Sequence, residues 1–357
     1  MTGGDACFIE IMIRLEGFDV VVVTSRMGEE TCRGRGLDGT FWITSGEARF
    51  KNVILTYVLR TAKAIRLLAK IDDGDLLYGS SDFLPDVLPA FLATFLRRDI
   101  RWVQRTFHRI PPSRLVSHLA QRASYGLIRM RANRLITDNQ MLRQDWITSG
   151  TSGDKISVSY PGIDLSRYRS VPKVPAQGYD AVYLGRLHRS KGVLDLIAIW
   201  SRVCELRPGS TLALIGGGAP DVIRDLQREI SSRGLDSQVE ILGFLDTRDV
   251  IATLHSSRML AFPSPEEGFG MAVLEAIAAS LPVVAWHLSV YDEVFSHGMI
   301  KVPIGDHESF AREVVELAND PDARNRLSKA AKDLAEGFDW SQIADDIERL
   351  LRNTLRS

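Results

Sequence analysis

Two carboxylates, Glu267 and Glu275, flank a glycine-bearing turn in the stretch Phe262-Pro263-Ser264-Pro265-Glu266-Glu267-Gly268-Phe269-Gly270-Met271 that leads into an apolar helix pattern. The lead-in Met259-Leu260-Ala261-Phe262 reads as a buried strand, Pro263 and Pro265 end it, and Gly268 and Gly270 allow a tight turn with close ligand approach. A helix beginning near Phe269 and running to about Ala279 then presents free backbone N–H groups to whatever binds there, phosphate oxygens or sugar hydroxyls being natural guests. Glu267 precedes the first turn and can accept hydrogen bonds from hydroxyls. Glu275 lies too far along to share the same sugar ring, so two hydroxyl-bearing units are implied. The plain alternative, two acids placed for helix-dipole or solvation reasons, is open for the pair taken alone.

A second constellation, Gly185-Arg186-Leu187-His188-Arg189-Ser190-Lys191-Gly192, follows one buried strand and precedes a helix. It reads as a basic phosphate-binding turn. Departure of a nucleoside diphosphate leaves charge on its outer phosphate, and Arg186, Lys191 and a helix N-terminus can stabilise that charge without a metal. A solvated basic loop is the alternative for this motif by itself. Gly216-Gly217-Gly218 also follows a strand but lacks the full Gly-x-Gly-x-x-Gly of a dinucleotide site and an acid at the expected distance, which disfavours a nicotinamide-dependent oxidoreductase.

With its Glu-x7-Glu spacing, the chain resembles the retaining glycosyltransferases of family four, over nearly its whole length. The resemblance implies an α/β protein of GT-B architecture, two Rossmann-like domains facing a central cleft, using a nucleotide diphosphate sugar as co-substrate with no further cofactor and no metal. It implies that Glu267 contacts the transferred sugar, Glu275 the nucleotide ribose, and Arg186 and Lys191 the diphosphate. It also implies that Gly216, Gly268, Phe269 and Gly270 line the donor site with Phe244 near the base. His108, just past a strand end, matches an active-site histidine able to contact the sugar or help with the acceptor proton, a structural histidine being the plainer reading. Gly3 and Gly4 match an acceptor or phosphate loop. No carboxylate nucleophile stands out, in keeping with transfer on one face of the sugar. The segment Trp286-His287-Leu288-Ser289-Val290-Tyr291-Asp292-Glu293 departs from the glycine-rich loop usual in the family, which motivates a second reading: an inactive sugar-nucleotide-binding or scaffolding protein.

At 357 residues the chain suits two domains. Alternation of strand and helix patterns marks α/β: a strand at 19–24 after a helix at 5–16, strands at 76–78, 100–103, 135–137 and 156–158, and helices at 52–70, 84–96 and 113–132. The expected domains are 1–170 on the acceptor side and 178–338 for the nucleotide sugar, with a last helix at 339–357 crossing back to the first. Family members begin with a strand that this chain lacks. A start placed too far downstream, or a shortened chain, explains that better than a domain dispensing with a central strand, whose loss leaves backbone groups unpaired.

Net charge is −1, yet residues 97–143 carry eleven Arg and two Asp, giving +9 there and −10 elsewhere. Such asymmetry points to an anionic partner. Three readings follow: a solvated helix face, a nucleic-acid patch, or a surface for anionic lipid or a phosphorylated acceptor such as a polyprenyl-diphosphate-linked sugar. No nucleic-acid motif accompanies the charge, so nucleic acid is disfavoured. Three widely spaced cysteines form no zinc pattern and fit a reducing cytoplasm, with peripheral attachment to the inner face of a membrane following from the basic segment. The chain has no apolar run long enough to span a bilayer and no secretory pattern at its start.

Overall fold

The computed structural model describes residues 3–46, 53–107, 109–110, 115–172 and 178–356. The chain divides into two compact units, unit 1 comprising residues 1–162 with 340–357 and unit 2 residues 163–339. Residues 163–170, assigned to the first domain by the sequence reading, thus group with unit 2.

Unit 1 starts with α1 (Gly3–Met12), β1 (Val21–Ser25), α2 (Arg26–Gly34), β2 (Thr40–Ser45) and α3 (Val53–Leu67). It continues through β3 (Leu76–Gly79), α4 (Leu84–Leu96), β4 (Arg101–Thr106), α5 (Leu115–Arg131), β5 (Arg134–Thr137), α6 (Gln140–Thr148) and β6 (Ile156–Val158). All its strand pairs are parallel, but they form two sheets: β1-β2, and β3-β4-β5-β6. β1 and β3 therefore each keep an edge with no strand partner among the described residues. Both line one cavity of about 860 Å³, whose walls include Phe8 and Met12 of α1. α4 and α5 lie side by side on the larger sheet, where Val87, Trp102, Ile128, Leu135 and Trp146 share one core. α2 was not foreseen. Its stretch is mostly polar, with Met27 and Cys32 as its only large apolar residues, and Ser25 caps it by accepting from the Gly28 N–H at 3.1 Å.

Unit 2 runs α7 (Leu165–Ser170), β7 (Ala181–Leu184), α8 (Val193–Leu206), β8 (Leu212–Ile215), α9 (Pro220–Ser232), β9 (Val239–Gly243), α10 (Thr247–Ser256) and β10 (Leu260–Phe262). After these come α11 (Met271–Ala278), β11 (Val283–Trp286), α12 (Ser289–Val294), β12 (Met299–Val302), α13 (His307–Asn319) and α14 (Pro321–Ala335). Its six strands make one parallel sheet in the order β12-β11-β10-β7-β8-β9. The central strands are buried throughout, which is why they read as unbroken apolar runs rather than alternating ones. Strand order reverses between β7 and β10. That reversal makes the carboxyl ends of these two strands the natural place for a ligand, because the loops leaving them diverge to opposite sides.

The final helix, α15 (Trp340–Arg356), belongs to unit 1 and packs on α1. Its buried stripe of Trp340, Ile343, Ala344, Ile347 and Leu351 follows helical spacing. Trp340, Ile343, Ile347 and Leu351 join residues of α1 and β1 with Val103 and Ile136 in one apolar cluster.

Candidate active site

The two chemistry-bearing turns of unit 2 leave β7 and β10, the strands that flank the reversal of strand order. Backbone geometry brings them together. Gly192 ends the first turn at φ +68°, and a Cβ there would fall 1.8 Å from the Pro263 carbonyl oxygen. Only glycine lets the loop after β7 lie this close to the loop after β10. The turn contains a short 3-10 helix, Arg189–Lys191, capped by the His188 ring, which accepts from the Ser190 N–H at 3.2 Å. Tyr183 supports the turn from beneath, its hydroxyl donating to the Arg186 carbonyl at 3.1 Å.

Lys191 Nζ lies 2.6 Å from Glu267 Oε1, both side chains being largely buried. Ser264 Oγ donates to the same carboxylate oxygen at 2.7 Å and is itself wholly buried. The expected phosphate-binding cation and sugar-binding carboxylate are therefore neighbours that neutralise each other. Arg186, one turn earlier, is exposed and joins no ion pair among the described residues. The adjoining helix α8 starts at Gly192, whose carbonyl receives the Leu196 N–H, so the N–H groups of its first turn are left without intrahelical partners.

On the other side Gly270, at φ +102°, caps α11, which begins at Met271 rather than near Phe269 as the sequence suggested. A Cβ on Gly270 would stand 2.8 Å from the Tyr291 ring. Phe269 is buried, edge-on to Phe295 at 5.5 Å, so it offers a ligand its backbone and not its ring. Glu275 sits in the second turn of α11, with no hydrogen bond or ion pair among the described residues. Burial pushes its carboxyl from 4.5 up to about 7. The same carboxyl contributes to raising the buried Tyr168 hydroxyl of α7, after burial itself.

The glycines after β8 and β9 extend the same rim. Gly216 donates to the Gly243 carbonyl at 2.8 Å, and Gly185 donates to the Ile215 carbonyl at 3.0 Å. At φ +142° a Cβ on Gly216 would meet the Gly185 carbonyl oxygen at 1.8 Å, so these turns are also in backbone contact. Phe244 follows with 87% of its surface exposed, an unusual position for an aromatic ring in a loop beside a basic turn. The divergent 286–293 segment is ordered by charge: Asp292 receives His287 Nε2 at 2.7 Å and Lys301 Nζ at 2.8 Å.

His108 lies outside the described residues. Gly3 and Gly4, expected in a loop, form the start of α1, and a Cβ on Gly4 would stand 3.0 Å from the Phe107 ring. Sequence reasoning overlooked Ser264 and Tyr183. The Pro-Ser-Pro setting of Ser264 three residues before Glu267 was the available signal, since a hydroxyl fixed between prolines has a restricted set of partners.

Residues 166–334 match the family described as Glycosyl transferases group 1. Among curated relatives, the chain is 33% identical over 195 residues to a glycogen synthase of Mycobacterium tuberculosis, covering 53% of this chain and 46% of the relative. It is 29% identical over 205 residues to a D-inositol 3-phosphate glycosyltransferase of Arthrobacter sp., covering 54% and 48%. The chain thus spans about half the length of these relatives. A solved structure of Anabaena HepE in complex with UDP and glucose superposes with a TM-score of 0.78 at 20% identity, covering 98% of this chain and 96% of that one. The fold, two units of parallel α/β structure, is that of the GT-B glycosyltransferases.

Proposed function

We propose that the protein is a retaining glycosyltransferase of the family-four type, moving a hexose from a nucleotide diphosphate sugar to a glycan, lipid-linked or other small acceptor without a metal. The observation that carries this is the Lys191–Glu267 pair, set where the strand order of unit 2 reverses and followed on each side by a helix N-terminus. In this reading the donor separates the pair. Lys191 turns to the diphosphate beside Arg186 and the start of α8, and Glu267, still held by Ser264, accepts from the sugar hydroxyls. As the bond from the anomeric carbon to the phosphate oxygen lengthens, negative charge grows on the diphosphate, where two fixed cations and a helix terminus stabilise it more than they stabilise the ground state. Glu275 accepts from the ribose, and the turns at Gly216 and Phe244 approach the base. We assign the acceptor to residues of unit 1.

Support also comes from the group 1 match over residues 166–334, which contain all of these donor-side residues. The test is thermal stabilisation and nucleotide release across UDP-, GDP- and ADP-sugars, with and without candidate acceptors. Stabilisation by one donor with release of its nucleotide is expected. Stabilisation without release under any acceptor would favour an inactive sugar-nucleotide-binding protein, and stabilisation by NAD alone would overturn the donor assignment.

A further inference from the structure

Unit 1 carries an outer surface that the donor chemistry leaves unused. α4 and α5 run side by side in the same direction, because each links consecutive parallel strands of one sheet. Along the outer face of α5, Leu115, Leu119, Arg122 and Met130 fall on one stripe of helical spacing, and all four are exposed. The stripe is about 22 Å long at 1.5 Å per residue. At its end it meets the end of α4, where Phe95 and Leu96 are 61% and 74% exposed and the Arg131 guanidinium lies 6.0 Å from the Phe95 ring centre. Soluble surfaces scatter single apolar residues; five large ones along two adjoining helices form a continuous apolar band.

The charge around this band is predominantly positive. From residue 88 to residue 132 the only acid is Asp99, and α5 has none. Arg97 is tied to Asp73 and Arg109 to Asp145, so neither is free to meet a partner. Arg98, Arg122 and Arg129 are exposed and take part in no ion pair among the described residues. Apolar side chains that can enter a hydrocarbon boundary, flanked by exposed guanidinium groups that no carboxylate neutralises, of which Arg129 also donates to the Ser149 carbonyl, match the two demands of an interfacial surface. Among the described residues no helix is long and apolar enough to cross a membrane.

We infer that the outer face of α4 and α5 docks on an anionic phospholipid bilayer. Leu96, Met130 and Leu119 enter the boundary between headgroups and acyl chains, while Arg98, Arg122 and Arg129 bind lipid phosphates. Zwitterionic lipid offers the apolar term alone, and a charged protein partner would be held without insertion. The inference rests on this surface and not on the donor site, so the two stand or fall separately.

The experiment is flotation of the full chain with vesicles of phosphatidylcholine alone or with about one-third phosphatidylglycerol, at low and high salt. Binding to the anionic vesicles is expected to be at least tenfold tighter and to weaken with salt. Each of Arg98→Gln and Arg122→Gln should lower affinity about fivefold, and Leu96→Gln with Met130→Gln should lower it by more than tenfold while leaving salt dependence intact. These side chains are exposed, and unchanged melting temperatures would show that the variants fold. No binding to anionic vesicles, equal binding to both compositions, or loss of a lipid-independent dimer on Leu96→Gln with Met130→Gln would each overturn the assignment.

Discussion

Glu275 allows the sharpest test, because its environment makes one substitution act in opposite directions on stability and on binding. The carboxyl is pushed from 4.5 to about 7 by burial, with no cation or hydrogen-bond donor offsetting it. At about 1.4 kcal/mol per pKa unit, ionising it in the folded protein costs about 3 kcal/mol. The sign follows from proton counts. Between pH 4.5 and 7 the folded state keeps a proton that the unfolded state has lost, so this group makes stability fall as pH rises through that window, after which the penalty is constant. Glu275→Gln keeps the shape and removes the titration. The variant should match the parent near pH 4.5 and exceed it by about 3 kcal/mol at pH 8, or about 6–12 °C in the melting transition of a unit this size. Nucleotide affinity should fall in the same variant. A bound ribose donates hydroxyl hydrogens to the ionised carboxylate and lowers its pKa, so the parent, about half protonated there, should release up to about half a proton on binding at pH 7. Calorimetry in buffers of different ionisation enthalpy reads that release directly. If the stability difference between variant and parent does not grow from pH 5 to pH 8, burial is not what governs this carboxyl. If proton release is unchanged in the variant, Glu275 does not meet the nucleotide.

Lys191→Ala and Glu267→Ala should each reduce kcat/KM by about 100-fold or more in the transfer assay, since each removes a charge positioned for the reacting group; parent-level rates in both would disprove the site. Gly192→Ala should destabilise unit 2 by well over 1 kcal/mol in urea unfolding, because it combines positive φ with a Cβ 1.8 Å from a carbonyl oxygen. Excess chelator should change the initial rate by less than about twofold, and a larger loss restored by a divalent cation would show that Arg186 and Lys191 do not carry the leaving-group charge alone.

The second unit was the more readable half, for a physical reason. Buried parallel strands such as Ala181–Leu184 and Leu212–Ile215 are unbroken apolar runs, and Gly185 and Gly216, which follow them at φ +154° and +142°, mark turns that favour glycine. The order of the motifs could be read, but not the ion pair between Lys191 and Glu267, because that contact depends on a reversal of strand order which no local pattern encodes. In the first unit the reading found α4 at its observed limits and missed α2, β2 and α6. α2 rests on a serine cap and on packing through Cys32 in a stretch with few apolar residues, and β2 on pairing with β1, which no local pattern encodes. The raised carboxyl of Glu275 was equally invisible, since burial at one helical position is settled by what packs over it.

The divided sheet of unit 1 bears on how that half of the protein opens. A continuous sheet unfolds as one piece because every strand shares a hydrogen-bond ladder with the next. Here β1 and β2 share a ladder with each other but not with β3, and the two parts are joined through the apolar cluster that Ile9, Ile11, Val22, Leu37, Trp340 and Ile347 form with Val103 and Ile136. Side-chain packing of this kind yields before strand ladders do. Hydrogen exchange is the measurement that reads this: in this chain, the β1-β2 amides should exchange through a lower-energy opening than those of β4 and β5. α15 packs on both α1 and β4, so it bridges the two parts of unit 1 through side chains where no strand ladder joins them among the described residues.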